Sequence, residues 1–301
     1  MTGILLLVAF CITAPLIDVA SKLAGQTVPV GTITLLRFVV QAALMGPLVI
    51  LMRLQLRVSL RATGLLIARG ATTILATFGF IAALKVMAIA DALAIAFVEP
   101  FILLLIGKYL LGEEVGKRRV IASLVGFAGA LLVIQPAFMT FGLYALFPLM
   151  CALFFALYML ITRELSREVH PVSMQFLTAF FAAILCIPLL VIGGGIGVEA
   201  VSFAWPQGIA ILWCVLVGVA GTTAHMFMTY ALRFAPSSTL APVQYLEMVP
   251  AALFGYLVFG NFPNALTWVG IGIIIGSGLY IIHRERMVER AVQAHDLTDP
   301  R

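Results

Sequence analysis

Apolar residues in this chain run in continuous blocks of about twenty, the length an α-helix needs to cross the hydrocarbon core of a bilayer. Short clusters of turn residues separate the blocks. Ten blocks can be drawn, over residues 3–22, 31–52, 63–84, 89–111, 119–136, 142–162, 172–193, 208–232, 238–259 and 264–283. The breaks carry turn chemistry: Gly25 with Pro29, Gly112 to Gly116, Pro136 with Gly142, Gly193 to Gly197 with Pro206, Pro236 before two serines, and Gly260 to Asn264. Gly193, Gly194 and Gly195 therefore read as loop. A membrane-spanning barrel would need short alternating segments instead. The pattern predicts an all-α membrane protein with ten transmembrane helices.

Composition agrees. Of 301 residues, 63% are hydrophobic and only 10% charged, with a mean hydropathy of +1.15. A soluble domain is nearer ~25% charged, so a water-facing surface of ordinary polarity cannot be built from this chain. The net charge of +5 and pI near 9.2 could point to nucleic acid, but the basic residues sit in short loops between apolar blocks. That is a topology signal, and no nucleic-acid partner is expected. Thirteen of the eighteen Lys and Arg residues fall on one side of the predicted membrane, among them Arg53, Arg57, Arg61, Lys117, Arg163 and Arg233. The positive-inside rule makes that side cytoplasmic and both termini with it. The four cysteines lie inside apolar blocks without metal-ligand spacing. The first block starts at Gly3 with no basic stretch before it, so it reads as a retained helix rather than a cleaved signal.

Against this background two carboxylates stand out. Glu99 and Glu247 each lie near the middle of an apolar block, 148 positions apart, and each is followed at matching places by two glycines, Gly107 and Gly112 or Gly255 and Gly260. At the same offset Ala83-Leu84-Lys85 falls on Ala231-Leu232-Arg233. A carboxylate at membrane depth is costly and faces a cavity, a partner or a pathway. Finding it twice predicts a duplicated chain. Five blocks per half is an odd number, so the second half enters the membrane in the opposite sense, with a site at the repeat interface.

Phe80 to Pro100 (FIAALKVMAIADALAIAFVEP) and Leu110 to Pro136 (LLGEEVGKRRVIASLVGFAGALLVIQP) resemble the first EamA repeat of the drug/metabolite transporter superfamily. Ala241 to Glu285 resembles the second. The resemblance implies two inverted five-helix repeats, residues 1–137 and 138–284, with a cytoplasmic tail over 285–301. It also implies a central cavity lined mainly by the first, third, fourth, sixth, eighth and ninth helices, and a place in the bacterial inner membrane. Cargoes in such a family are amino acids, S-adenosylmethionine, riboflavin and other small metabolites. The first repeat keeps the family's Gly-Glu helix end as Gly112-Glu113, whereas the second has Gly260-Asn261.

Other polar residues inside the blocks have two readings each. Glu99 and Glu247 bind a cationic group or carry a proton, or else tie helices together. Pro100 and Pro250 beside them remove backbone donors and kink their helices. Arg69 begins a polar stripe with Thr73 and Thr77; it holds a substrate carboxylate or snorkels to headgroups. His225 binds substrate or packs, and Gln244 and Tyr245 support the site or fill space. Asp18 and Lys22 are spaced for a local ion pair, with Asp18 also a gate candidate. Arg37 is a possible partner for Asp18 but is assigned a structural part, because the family places the second helix peripherally. Lys108 and Glu113 anchor or gate the cytoplasmic end of the fourth helix.

There is no nucleophile elbow, metal cluster or phosphate loop, so neither an enzyme nor a cofactor is expected. The leading expectation is a secondary transporter moving a small polar metabolite, an amino acid or a derivative such as S-adenosylmethionine, by alternating access, with proton linkage as one option. Its partners are the lipid bilayer and a small-molecule substrate; monomer and homodimer are both compatible. A riboflavin-like vitamin is the alternative cargo, marked by an aromatic cavity without a strong charge pair. A non-transporting membrane protein, marked by a closed core, is the remote one.

Overall fold

The computed structural model describes residues 2–110, 116–134 and 141–260, and several positions between 268 and 287. Glu113, the side chain of Lys108, the Gly-Asn helix end at Asn261, and most of the last predicted span and of the tail lie outside the described residues. The chain is built from α-helices: α1 (Thr2–Ala24), α2 (Val30–Leu51), α3 (Leu60–Leu84), α4 (Ile89–Ala96), α5 (Glu99–Leu110), α6 (Lys117–Ile134), α7 (Leu146–Leu165), α8 (Pro171–Gly195), α9 (Ile209–Phe234), α10 (Ser237–Gln244) and α11 (Met248–Phe259). Among the described residues seven helical stretches are long and apolar enough to cross a membrane.

Among the described residues, helices run through the first nine predicted blocks, with two physical amendments. Gly193, Gly194 and Gly195 lie in α8, not in a loop. In apolar surroundings the backbone satisfies itself by staying helical, and Gly193 makes room for a neighbour. A β-carbon there would sit 2.4 Å from the Val201 carbonyl oxygen. The fourth and ninth spans, read as continuous, are each broken in the middle. Residue Pro100 has no N–H for the carbonyl four residues back and its ring crowds that carbonyl, and α4 ends at that residue, Ala96. In the second case α10 ends at Gln244, a 3₁₀ turn runs over Tyr245–Glu247, and α11 follows, with Pro250 in its first turn. Gly260 closes α11 in the left-handed conformation, φ 70°, which glycine adopts without a Cβ penalty.

These broken helices match in register. Ile89 and Ser237, which start α4 and α10, are 148 positions apart, as are Ala96 and Gln244, which end them. Packing is also paired. The helix α1 lies along α9, α3 lies along α7, and α2 packs on α8. Burial is distributed as a bilayer requires. Large apolar side chains such as Leu5, Ile50, Leu51, Val191 and Leu257 are exposed on the outside, while Arg69, Thr229, Gln244 and Glu99 are buried inside.

Candidate polar cavity between the broken helices

A half-open cavity reaches the middle of the bundle. It has a volume of about 110 Å³ and is walled by α1 (Phe10, Ala14, Asp18, Ser21), α2 (Arg37), α3 (Thr73, Thr77, Phe80), α4 (Leu93, Ala96), α7 (Cys151, Phe155) and α9 (His225), with Phe97, Glu99 and Glu247 from the two helix breaks. The breaks place both glutamates here, because each lies at the point where its helix stops and restarts.

Three carboxylates and one guanidinium share this wall: Asp18, Glu99 and Glu247 against Arg37. They do not neutralise one another directly. The Arg37 side chain donates to Thr77 Oγ1 and to His225 Nε2, the latter at 2.6 Å, and its Nε–H has no partner. Arginine can only donate, so His225 Nε2 presents its lone pair. The ring proton is therefore on Nδ1 and is donated to Tyr158 Oη at 2.8 Å.

Behind the wall the same chain of polar contacts continues. Arg69 is fully buried and donates to Thr162 (Nε, 2.7 Å), Thr178, Tyr158 (2.7 Å) and Thr229 (3.3 Å), with its guanidinium 4.4 Å from the Tyr158 ring centre. Gln175 donates to Thr229 at 3.0 Å and accepts from Gln41 at 2.8 Å. The network ties α2, α3, α7, α8 and α9 together with neutral partners for both guanidiniums.

A second buried cluster sits at the breaks. Gln244 Nε2 donates to Glu99 Oε2 at 3.0 Å. Tyr245 lies edge-on to Phe97, ring centres 5.5 Å apart, and its ring fills the space left by Gly126, where a β-carbon would come within 2.4 Å. The Cys11 thiol points at the carbonyls of Val243 and Gln244, both at 3.8 Å.

The sequence-derived candidates divide accordingly. The structure brings Glu99, Glu247, His225 and Asp18 to one cavity, and sets Arg69, Gln244 and Tyr245 behind its wall. The stripe Arg69–Thr73–Thr77 splits, with only the threonines on the cavity. Arg37, read as peripheral, is the cavity's guanidinium. Lys22 does not pair with Asp18 but donates to the carbonyls of Leu84 (3.1 Å) and Met87 at the end of α3; the carbonyls at a helix C-terminus attract a cation. Pro100 is buried and Pro250 partly so, each next to its break. Sequence reading missed Tyr158, the joint between His225 and Arg69. A signal existed, since Tyr158 and Thr162 are spaced one turn apart, as are Arg37 and Gln41.

Comparison with known proteins gives this architecture its kinship. The model of the EamA-like transporter family matches residues 1–135 and 142–283. A riboflavin transporter of Rhizobium johnstonii is 31% identical over 211 residues, covering 70% of this chain and 67% of the relative. An S-adenosylmethionine uptake transporter of Rickettsia prowazekii is 24% identical over 291 residues, covering 95% and 94%. A solved structure titled only "Crystal structure of protein" superimposes with a TM-score of 0.70 at 22% identity, over 95% of this chain and 98% of its own, and so supports the fold. With the family match spanning both halves and helices long enough to cross a bilayer several times, this chain is a multi-pass membrane protein and belongs to the EamA-like transporter family.

Proposed function

We propose that the chain is a secondary transporter of a small zwitterionic metabolite, an amino acid or an amino-acid derivative such as S-adenosylmethionine. It works by alternating access between two inverted five-helix repeats, residues 1–137 and 138–284, in a bacterial inner membrane with both termini cytoplasmic. The matched registers of α4 with α10 support the duplication. So does the pairing of α1 with α9 and of α3 with α7, which an inverted repeat would make equivalent.

The observation that carries the cargo assignment is a cavity lined by charges of both signs, Arg37 with Asp18, Glu99 and Glu247. Arg37, with Thr77, offers donors to a carboxylate. Glu247 and Asp18 offer acceptors to an ammonium. Glu247 is 9% exposed, which leaves it open to a ligand. Size argues the same way. A cavity of about 110 Å³ is well below the ~300–1,000 Å³ of drug-sized sites, so it suits an amino acid, or the amino-acid end of a larger derivative. The phenylalanines Phe10, Phe80, Phe97 and Phe155 are the feature that favours a riboflavin-like cargo, but a neutral flavin would leave the charged groups unmatched.

A thermal-shift series on the purified protein decides. Zwitterionic amino acids or S-adenosylmethionine at a hundredfold excess over Kd should stabilise by about 2.7 kcal/mol. Stabilisation by riboflavin with none from any zwitterion would overturn the assignment.

A further inference from the structure

The two glutamates share a cavity but have different surroundings. Glu99 has one oxygen occupied, Oε2, which accepts from Gln244 Nε2 at 3.0 Å. Its other oxygen, Oε1, is sealed from solvent and has no hydrogen-bond partner, and Gln244 Oε1 is in the same condition. Two sealed acceptors without a donor, in hydrogen-bonded groups, are an expensive arrangement, because each has lost water and gained no partner. A single proton removes both faults. On Glu99 Oε1 it converts an orphan acceptor into a donor, and the orphan amide oxygen of Gln244, whose nitrogen already bonds the same carboxyl, is the acceptor it would take. Carboxylic acid and amide would then be joined by two bonds. Exchanging the amide's oxygen and nitrogen only moves the proton to Oε2; it does not remove the need for one.

We propose that Glu99 is the proton-carrying carboxyl of the ligand-free protein and Gln244 its positioning residue, and that Glu247 is the carboxylate left for the substrate cation. The proposal rests on the transport reading for its purpose, but its chemistry does not depend on the cargo. The charged and titratable groups around Glu99 are few. Among the described residues they are Cys11 and Asp18 on α1, Arg37 on α2, Cys151 on α7, His225 on α9, and Tyr245 and Glu247 beyond α10. The cation among these groups, Arg37, is held by Thr77 and His225, so among the described residues no cation is left over to compensate an ionised Glu99. A substrate cation lodged at Glu247 would supply the missing positive charge. The Glu99 proton would then leave for cavity water, one proton out for one cation bound.

Infrared difference spectroscopy on the ligand-free protein at neutral pH tests this directly, since a protonated carboxyl has a carbonyl stretch that a carboxylate lacks. Subtracting the Glu99→Gln spectrum from the wild type should leave one protonated-carboxyl band, and Glu247→Gln should retain that band. The Gln244→Leu variant keeps the carboxyl but removes both bonds, so the band should move to the frequency of a less hydrogen-bonded acid; a merely space-filling Gln244 would leave it where it was. Glu99→Gln preserves shape and can pair amide to amide; should it fail to fold, the Gln244→Leu shift still decides. A wild type without the band, or a band lost in Glu247→Gln and kept in Glu99→Gln, would overturn the proposal. The thermal-shift series fails separately: a protein stabilised by no zwitterion sinks the cargo assignment while the Glu99 band stands.

Discussion

A guanidinium whose hydrogen-bond partners are all neutral is a costly thing to hold in an apolar interior, and this chain holds two. Arg69 has four hydroxyls arranged around it. That is a closed set, and its function is to lock helices. Lysine cannot reproduce it, because a point ammonium lacks the planar fork. Arg69→Lys should lose at least two of those bonds at about 1 kcal/mol each and lower the thermal unfolding midpoint by several degrees; an unchanged midpoint would refute the locking role. Arg37 is different, with one N–H unpaired and its side chain on the cavity wall. Under the proposed function, that N–H is the donor offered to the cargo's carboxylate. Arg37→Gln should weaken binding of a carboxylate-bearing cargo by about tenfold to a hundredfold, the worth of a hydrogen bond to a charged group, ~1.5–3 kcal/mol. A decarboxylated analogue should bind both proteins alike. Equal loss for both ligands would show that Arg37 shapes the cavity rather than reads the carboxylate.

The helix breaks set where the glutamates stand. Their cause in the first repeat is one proline, and Pro100→Ala is its test. With the backbone donor restored, α4 and α5 should join through Phe97 and Val98, carrying Glu99 away from Gln244. Uptake into proteoliposomes should fall by about tenfold or more, on the scale of one buried group left without its hydrogen bond, with helical content by circular dichroism maintained. Full uptake would mean that the break is not what places Glu99. These elements also mark how far the sequence can be read. Helix existence was legible, because the length of an apolar block is fixed by bilayer thickness. The breaks were not, since apolar residues run straight through both and only the prolines hint at them. The pairing of Glu99 and Glu247 was visible because charge is scarce in such a chain. The place of Arg37 on the cavity was not legible because its partner His225 lies 188 residues away on another helix, and no local periodicity reports a contact of that range. Tyr158 was hidden for a related reason. Inside an apolar block a tyrosine looks like packing until its hydroxyl is seen to join a histidine and an arginine.

On the scale of the molecule the two ends are unlike. Cavity residues come from the halves of α1, α3 and α7 away from the arginine-rich end, reaching Ser21, Ile81 and Cys151. The arginine-rich end is closed in three ways. Gly3 of α1 packs so tightly on α9 that a β-carbon would lie 2.7 Å from Ala235 Cβ. Arg163 of α7 donates to the Leu232 carbonyl of α9. Arg61 of α3 bonds Glu164 and Glu168 of α7 and its continuation, at 2.7 and 3.1 Å. The last link crosses the proposed repeat boundary, yet the Arg61 side chain is 63% exposed, and such surface pairs are worth ~0–1 kcal/mol. A weak latch suits a closure that must reopen in each cycle. Under the proposed alternating access, these contacts fit a state facing the side opposite the basic loops, the periplasm in the proposed orientation. Cys151 makes this testable without introducing any new residue: it lines the cavity and is partly exposed, whereas Cys11, Cys186 and Cys214 are buried. In a variant carrying Cys11→Ala, Cys186→Ala and Cys214→Ala, a membrane-impermeant thiol reagent should modify Cys151 in spheroplasts and not in inverted vesicles. A bound zwitterion should slow that reaction several-fold by occupying the space next to the thiol. Modification from the cytoplasmic side alone would reverse the assigned state. Labelling that no candidate cargo slows would separate Cys151 from the substrate path, and with it the cavity described here.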